Sequence, residues 1–188
     1  MKRLSIFVSG NGTNLQRIAE YFADNRDVEI ANVVCNNPKA YSIERAKNLN
    51  IPLRMITRAD FNSQAFVDEM KGLNLDLIVL AGFLWKIPEA LVKAFPKKII
   101  NIHPALLPKF GGKGFYGEHV HEAVVAAKEA VSGITVHYVD EVYDNGEIIF
   151  QATVALDENE TADTLAAKIH ILEQTHFPVV IENALFKN

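Results

Sequence analysis

The sequence predicts an α/β fold: a single doubly wound, mostly parallel sheet, closed by an antiparallel C-terminal strand. The sheet itself rests on three observations. Short apolar runs alternate with segments of helical spacing along the chain, the pattern of successive βαβ units. Residues 75–81 are almost continuously apolar, as suits a central parallel strand covered on both faces. Near the other end, two strand-like segments at 134–139 and 148–154 are joined by a short link, which an antiparallel pair can use and a parallel pair cannot.

Composition sets the outer limits. A chain of 188 residues, 49% hydrophobic and 22% charged, matches one domain over 1–188 with enough apolar surface for a real core. The net charge of -4 argues against non-specific nucleic-acid binding, which needs a basic footprint. The lone cysteine, Cys35, cannot form an internal disulfide and reads as a small buried apolar residue in a reducing compartment. The first apolar run is too short for a signal peptide, and none reaches membrane-spanning length. The expectation is a cytoplasmic protein with small-molecule partners, no membrane contact, and a monomeric or weakly dimeric state.

In order, residues 4–8 form a buried strand closed by Ser9-Gly10-Asn11-Gly12-Thr13-Asn14, and Leu15, Ile18, Ala19 and Phe22 then recur at helical spacing. Strand, glycine loop and helix start make an anion site, because backbone N–H groups point outward there. The dinucleotide fingerprint fails at its third glycine, where Leu15 stands. A phosphate monoester fits the loop better, and a plain turn fits it equally well. Residues 28–34 form a second strand, 42–49 a helix with Ser42 as cap, and 53–56 a third strand. Asp60 is expected to cap one helix running to Lys71. After the central strand, Gly82-Phe83-Leu84-Trp85-Lys86-Ile87 leads to Pro88, which suits the first turn of a helix. These large apolar residues read first as helix-to-sheet packing, and they could also line a flat ligand.

The segment Ile99-Ile100-Asn101-Ile102-His103-Pro104 is a strand that Pro104 must end. Asn101 and His103 then share one face at its carboxyl end, where ligands sit in open parallel sheets. An amide and an imidazole there can donate to an oxyanion and move a proton near neutral pH. Local turn and hydrogen-bond roles would explain them as well. A glycine-rich loop at 109–117 precedes a helix from Glu118 to about Lys128. His119 and His121, two apart near its start, fall on different faces, and no set of metal-ligand spacing is evident. Residues 134–139 put Thr135 and His137 on one face. The following turn, 140–146, has ordinary Asn-Gly turn chemistry. A last helix is expected from Thr161 to about Leu172, with Pro178 ahead of a separate final segment.

Together, Asn101-Ile102-His103-Pro104-Ala105-Leu106-Leu107-Pro108, His137 and the turn Asp144-Asn145-Gly146 resemble the formyltransferase family that uses 10-formyltetrahydrofolate. The likeness runs through nearly the whole chain, and residues 9–15 are similar to the substrate-phosphate loop of one branch. It implies a doubly wound domain that moves a formyl group from 10-formyltetrahydrofolate to the amine of 5'-phosphoribosylglycinamide in purine biosynthesis. The transfer would be direct, through a tetrahedral oxyanion and without a metal. By the same resemblance Asn101, His103 and Asp144 are catalytic, Gly12, Thr13 and Asn14 hold the ribose phosphate, and Glu173 meets the glycinamide part. Leu84, Trp85, Lys86 and Ile87, with Asn101, Asp140 and Glu141, border the folate. The chain departs from the family pattern at Trp85 and Gln64, where relatives carry arginines, at Asn145 in place of glycine, and in a longer 109–117 loop. These departures imply a folate held mainly by apolar surface and backbone groups.

Two other readings remain at this stage. A deformylase would hydrolyse the same folate, but it usually has a second histidine where Pro104 stands and an added N-terminal domain. A non-catalytic phosphate-ligand sensor would use the loop at 9–15 alone.

Overall fold

In the computed structural model, which describes residues 1–187, every expected strand forms. They are β1 (Lys2–Val8), β2 (Val28–Cys35), β3 (Leu53–Met55), β4 (Leu77–Leu80), β5 (Ile99–His103), β6 (Val131–Tyr138) and β7 (Ile148–Ala155). They make one sheet in the order β3-β2-β1-β4-β5-β6-β7. Pairing is parallel from β3 through β5 and antiparallel for β5 with β6 and β6 with β7. The chain winds outward from β1 to β3 and then returns to the far side of β1. That reversal makes the carboxyl ends of β1 and β4 a topological switch point, where a crevice opens.

The alternation of side chains along the strands divides the core in two. Leu4, Ile6, Val8, Val79, Ile100 and Ile102 face one layer of helices, and Phe7, Val34, Ile78, Leu80 and Ile99 face the other. The first layer holds α1 (Thr13–Phe22), α6 (Glu118–Ala126) and α7 (Ala162–Phe186); the second holds α4 (Gln64–Gly72) and α5 (Glu89–Ala94).

The helices differ from expectation in four places. The segment after β3 is two helices, α3 (Arg58–Phe61) and α4. Thr57 and Ser63 cap them, and Asp60 closes the Thr57 capping box from the third helical position. An acid there bonds back to the cap N–H, so it resembles a cap in sequence. Ser42 begins α2 (Ser42–Asn48) without capping it; its side chain is fully buried beside Cys35. Pro88 is the cap residue of α5, one position before the first turn. Finally, α7 runs through Pro178 without a break. Proline removes one backbone donor and orphans the carbonyl four residues earlier. That carbonyl, on Gln174, accepts a hydrogen bond of 3.1 Å from Arg17 Nε.

Among the described residues no helix is long and apolar enough to cross a membrane.

Candidate active site

The carboxyl ends of β1, β4 and β5 open into a cavity of about 530 Å³, large enough for a sizeable small molecule. Its floor is the tip of β5. Asn101 lies opposite His137 across the β5–β6 ladder, and His103 lies opposite Thr135. This is the shared face that the alternation predicts.

The hydrogen bonds fix which ring nitrogen of each imidazole carries a hydrogen. His103 Nε2–H donates to the Phe110 carbonyl at 2.7 Å, because a carbonyl can only accept. His103 Nδ1 then carries the lone pair of the neutral ring, 3.7 Å from Asp144 Oδ2. His137 Nδ1–H donates to the Tyr138 carbonyl at 2.9 Å. His137 Nε2 can therefore accept from Asn101 Nδ2 at 3.1 Å. That bond orients the Asn101 amide and leaves its second N–H without a protein acceptor among the described residues.

Asp144 closes this group from the turn between β6 and β7. Its Oδ2 accepts from Gly112 N at 2.9 Å, and its Oδ1 lies 3.6 Å from His137 Nε2. The turn bends at Asp144 itself, which has a left-handed φ of 51°, a conformation costly for a non-glycine residue. Asn145-Gly146 therefore does not supply the expected two-residue turn. Gly146 is required instead because any Cβ there would collide with the Tyr138 carbonyl.

Burial is the largest influence on both His103 and Asp144. It pushes His103 below its ordinary value, against the pull of Asp144 and the Phe110 carbonyl. It pushes Asp144 up, yet His137 and His103, each when protonated, and the Gly112 N–H together hold that carboxyl below the usual aspartate range. A neutral base beside a carboxylate is the result.

The loop at 9–12 forms one end of the cavity. Its carbonyls all face away. Ser9 O accepts from Asn37 Nδ2, Gly10 O from Ser42 N, Asn11 O from Arg45 Nε, and Gly12 O from Gln16 N. The N–H groups of Gly10, Asn11 and Gly12 have no protein acceptor among the described residues and lie at the start of α1. Gly12 has φ 77°, and a Cβ on it would stand 2.7 Å from Ser42 Cβ, so glycine is required on two counts. The side chain of Asn14 is committed to α7: Nδ2 donates to Glu173 Oε2 at 3.0 Å and Oδ1 accepts from Gln174 Nε2 at 2.9 Å. Asn14 therefore offers the cavity its backbone. Glu173 lines the same end, and burial lifts its carboxyl to about 6 despite the Asn14 bond.

Phe83, Leu84, Trp85, Lys86, Ile87, Val139, Asp140, Val142 and Tyr143 line the other end. Trp85 serves both expected roles, packing on Phe61 and Phe83 while lining the cavity. Arg58 stacks over its ring at 4.0 Å and Lys86 lies 5.6 Å from the Tyr143 ring centre. Glu141, expected at the folate border, is exposed and lies 4.0 Å from Lys93 on α5, outside the cavity lining. Gln64 is likewise outside it and donates to Asp68. His121 does line the cavity, buried and with no partner for Nδ1, while His119 faces solvent.

A model of the formyl transferase family matches residues 2–181. The chain belongs to the formyl transferase family. This family member is 38% identical to the phosphoribosylglycinamide formyltransferase of Bacillus subtilis, with 100% of this chain and 97% of that protein aligned. It is 41% identical to the chloroplastic phosphoribosylglycinamide formyltransferase of Arabidopsis thaliana over 89% of this chain. The chain spans 60% of the length of that plant relative and of the one from Vigna unguiculata. Among solved structures, the phosphoribosylglycinamide formyltransferase of Bacillus halodurans superposes with a TM-score of 0.89 at 34% identity, covering 99% of this chain and 96% of that chain.

Sequence reasoning had no means of finding Arg45, Arg58, Phe110 or Gly112 at the site. Phe110 and Gly112 contribute backbone groups, Arg58 stacks on Trp85, and Arg45 reaches Asn11 from 34 residues away in the chain; none of these leaves a local sequence signature.

Proposed function

We propose that this chain, acting as one domain, transfers the formyl group of 10-formyltetrahydrofolate to the amine of 5'-phosphoribosylglycinamide. The observation that carries the reading is the single cavity with an anion cradle at one end, an apolar wall at the other, and the Asn101–His103–Asp144 group between them. The cradle suits the acceptor's ribose phosphate, with Glu173 close enough to the loop to accept from its hydroxyl or amide groups. The apolar wall at Phe83, Trp85, Ile87 and Val139 suits the flat pterin. The phosphoribosylglycinamide formyltransferases of Bacillus subtilis, Arabidopsis thaliana and Bacillus halodurans are named for the same acceptor.

The chemistry follows from the atoms. The acceptor amine attacks the formyl carbon, a C–N bond forms, and the carbonyl oxygen becomes an oxyanion. The free N–H of Asn101 donates to that oxygen; one such donor is worth roughly 10²–10³ in rate. His103 is neutral in the ligand-free site and takes the amine proton on Nδ1. Asp144 then stabilises the imidazolium by charge, and the proton passes, through water where needed, to the folate nitrogen as its bond to carbon breaks. General acid–base help of this kind contributes roughly 10²–10⁴. Each bond formed and broken is accounted for without a covalent enzyme intermediate.

The anion cradle favours transferase over deformylase. Binding the remote phosphate orients the amine at the formyl carbon, and water has no such handle. The test is stoichiometry. Loss of 10-formyltetrahydrofolate is expected to require phosphoribosylglycinamide and to match formylated product one for one. Formate release at a comparable rate without the amine would overturn the transferase in favour of the deformylase.

A further inference from the structure

We propose that Arg45 is a positioning residue for the acceptor's phosphate: it turns the carbonyl of Asn11 away from the cavity and supplies a fixed positive charge behind the anion cradle. This deepens the function proposed above and rests on it. Arg45 lies on α2, outside the cavity lining, and nothing in its sequence neighbourhood marks it.

Two observations carry the argument. First, Arg45 holds Asn11 as a fork. Its Nε donates to the Asn11 carbonyl at 2.9 Å and its Nη2 donates to Asn11 Oδ1 at 2.8 Å. The two bonds fix both the backbone and the side chain of one loop residue, a geometry a guanidinium can make and an ammonium cannot. A carbonyl pointing into the cradle would repel a phosphate. The neighbouring carbonyls of Ser9 and Gly10 are held back by Asn37 and Ser42 N in the same way. Arg45 closes that set from the third position.

Second, its charge is uncommitted. Arg45 makes no ion pair with a carboxylate among the described residues; its other neighbour is the Tyr41 ring, 5.0 Å from the guanidinium carbon. Its stem passes directly behind the cradle, since a Cβ on Gly12 would lie 3.4 Å from Arg45 Cδ. The cavity itself carries Asp140, Asp144 and Glu173 against Lys86 and Lys113, so a dianion entering it gains from a cation fixed at this end. A half-buried guanidinium attracts such an anion with less screening than a fully solvated lysine.

The experiment compares the full-length wild type with Arg45→Ala and Arg45→Lys on two acceptors, phosphoribosylglycinamide and its dephosphorylated ribosylglycinamide. In Arg45→Ala the KM for the phosphorylated acceptor should rise about 10- to 100-fold, the range lost with charge-assisted hydrogen bonds. The kcat and the folate KM should stay within about threefold. The kcat/KM on the dephosphorylated acceptor should hardly change, so the preference for the phosphate collapses by the same factor. Arg45→Lys keeps charge and loses the fork, and should recover part of that preference. A general structural role would lower kcat/KM equally on both acceptors and would overturn the proposal, as would an unchanged preference. Ribose 5-phosphate binding, followed by calorimetry, separates this proposal from the reaction. If the wild type binds it and Arg45→Ala does not, the Arg45 assignment stands even where no formyl transfer is found. Equal binding by both overturns it.

Discussion

Replacing Glu173 by glutamine is expected to stabilise the protein at alkaline pH while weakening the acceptor. The carboxyl is lifted from 4.5 to about 6, chiefly by burial. That is about one and a half pH units, so ionising Glu173 in the folded chain costs about 2 kcal/mol more than in the unfolded chain. The sign follows from proton counting. Between pH 4.5 and about 6 the folded state binds more protons than the unfolded state, so stability falls as pH rises through that window and stays low above it. Glutamine has no charge to bury and can still accept from Asn14 Nδ2. Urea unfolding of wild type and Glu173→Gln should therefore differ by about 2 kcal/mol at pH 8 in favour of the variant, and by under about 1 kcal/mol at pH 5. At pH 8 the gap corresponds to roughly 4–8 °C in Tm for a chain of this size. His103, depressed by burial, has the opposite linkage and loses stability as pH falls below about 6.5, but it is present in both proteins and cancels. An equal gap at the two pH values, or a less stable variant at pH 8, would refute the buried-charge argument.

Two further outcomes follow from the same geometry. His103→Ala and Asp144→Ala should each lower turnover by about 10²–10⁴ with an unchanged circular-dichroism spectrum, and near-normal turnover in purified His103→Ala would remove His103 from the chemistry. Folate affinity, read from the fluorescence of Trp85, the chain's single tryptophan, should fall only a few-fold between low and high salt, because Arg58 and Lys86 are exposed cations whose pairs are weak; a steep fall would show that charge dominates that wall.

The parallel sheet, its antiparallel close and the Asn101–His103 face were legible because burial and the two-residue period of a strand leave direct marks on residue type. Helix ends were less so. Thr57 and Ser63 compete with Asp60 as caps, and all three are good ones by type. The continuation of α7 through Pro178 depends on Arg17, which lies 157 residues before the carbonyl it serves, and no local pattern can carry that. The site divided the same way. Asn101 and His103 stood out through strand geometry. Asp144 and Glu173 came only through resemblance; the loop at 83–87 was marked by its large apolar residues, and Glu141 lies exposed beside Lys93, outside the cavity lining. The hydrogen bonds that orient the two rings end on the carbonyls of Phe110 and Tyr138, a group every residue has and no sequence distinguishes.

The contacts of Asn14 with Glu173 and Gln174 span 159 and 160 residues of chain. The acceptor end of the cavity is thus assembled from the first helix and the last, while the wall at Leu84–Ile87 is built from the middle of the chain. During synthesis the two ends of the pocket must mature at different times. The folate wall can take shape once β4, β5 and β6 have paired and the 139–143 segment has followed, but the bracket around Asn14 waits until α7 has left the ribosome and docked. Closing so long a loop is entropically costly, so that bracket is also among the first things local loosening of α7 would undo. Acceptor affinity is accordingly a sensitive gauge of whether the two termini of the fold are joined, and folate affinity is not.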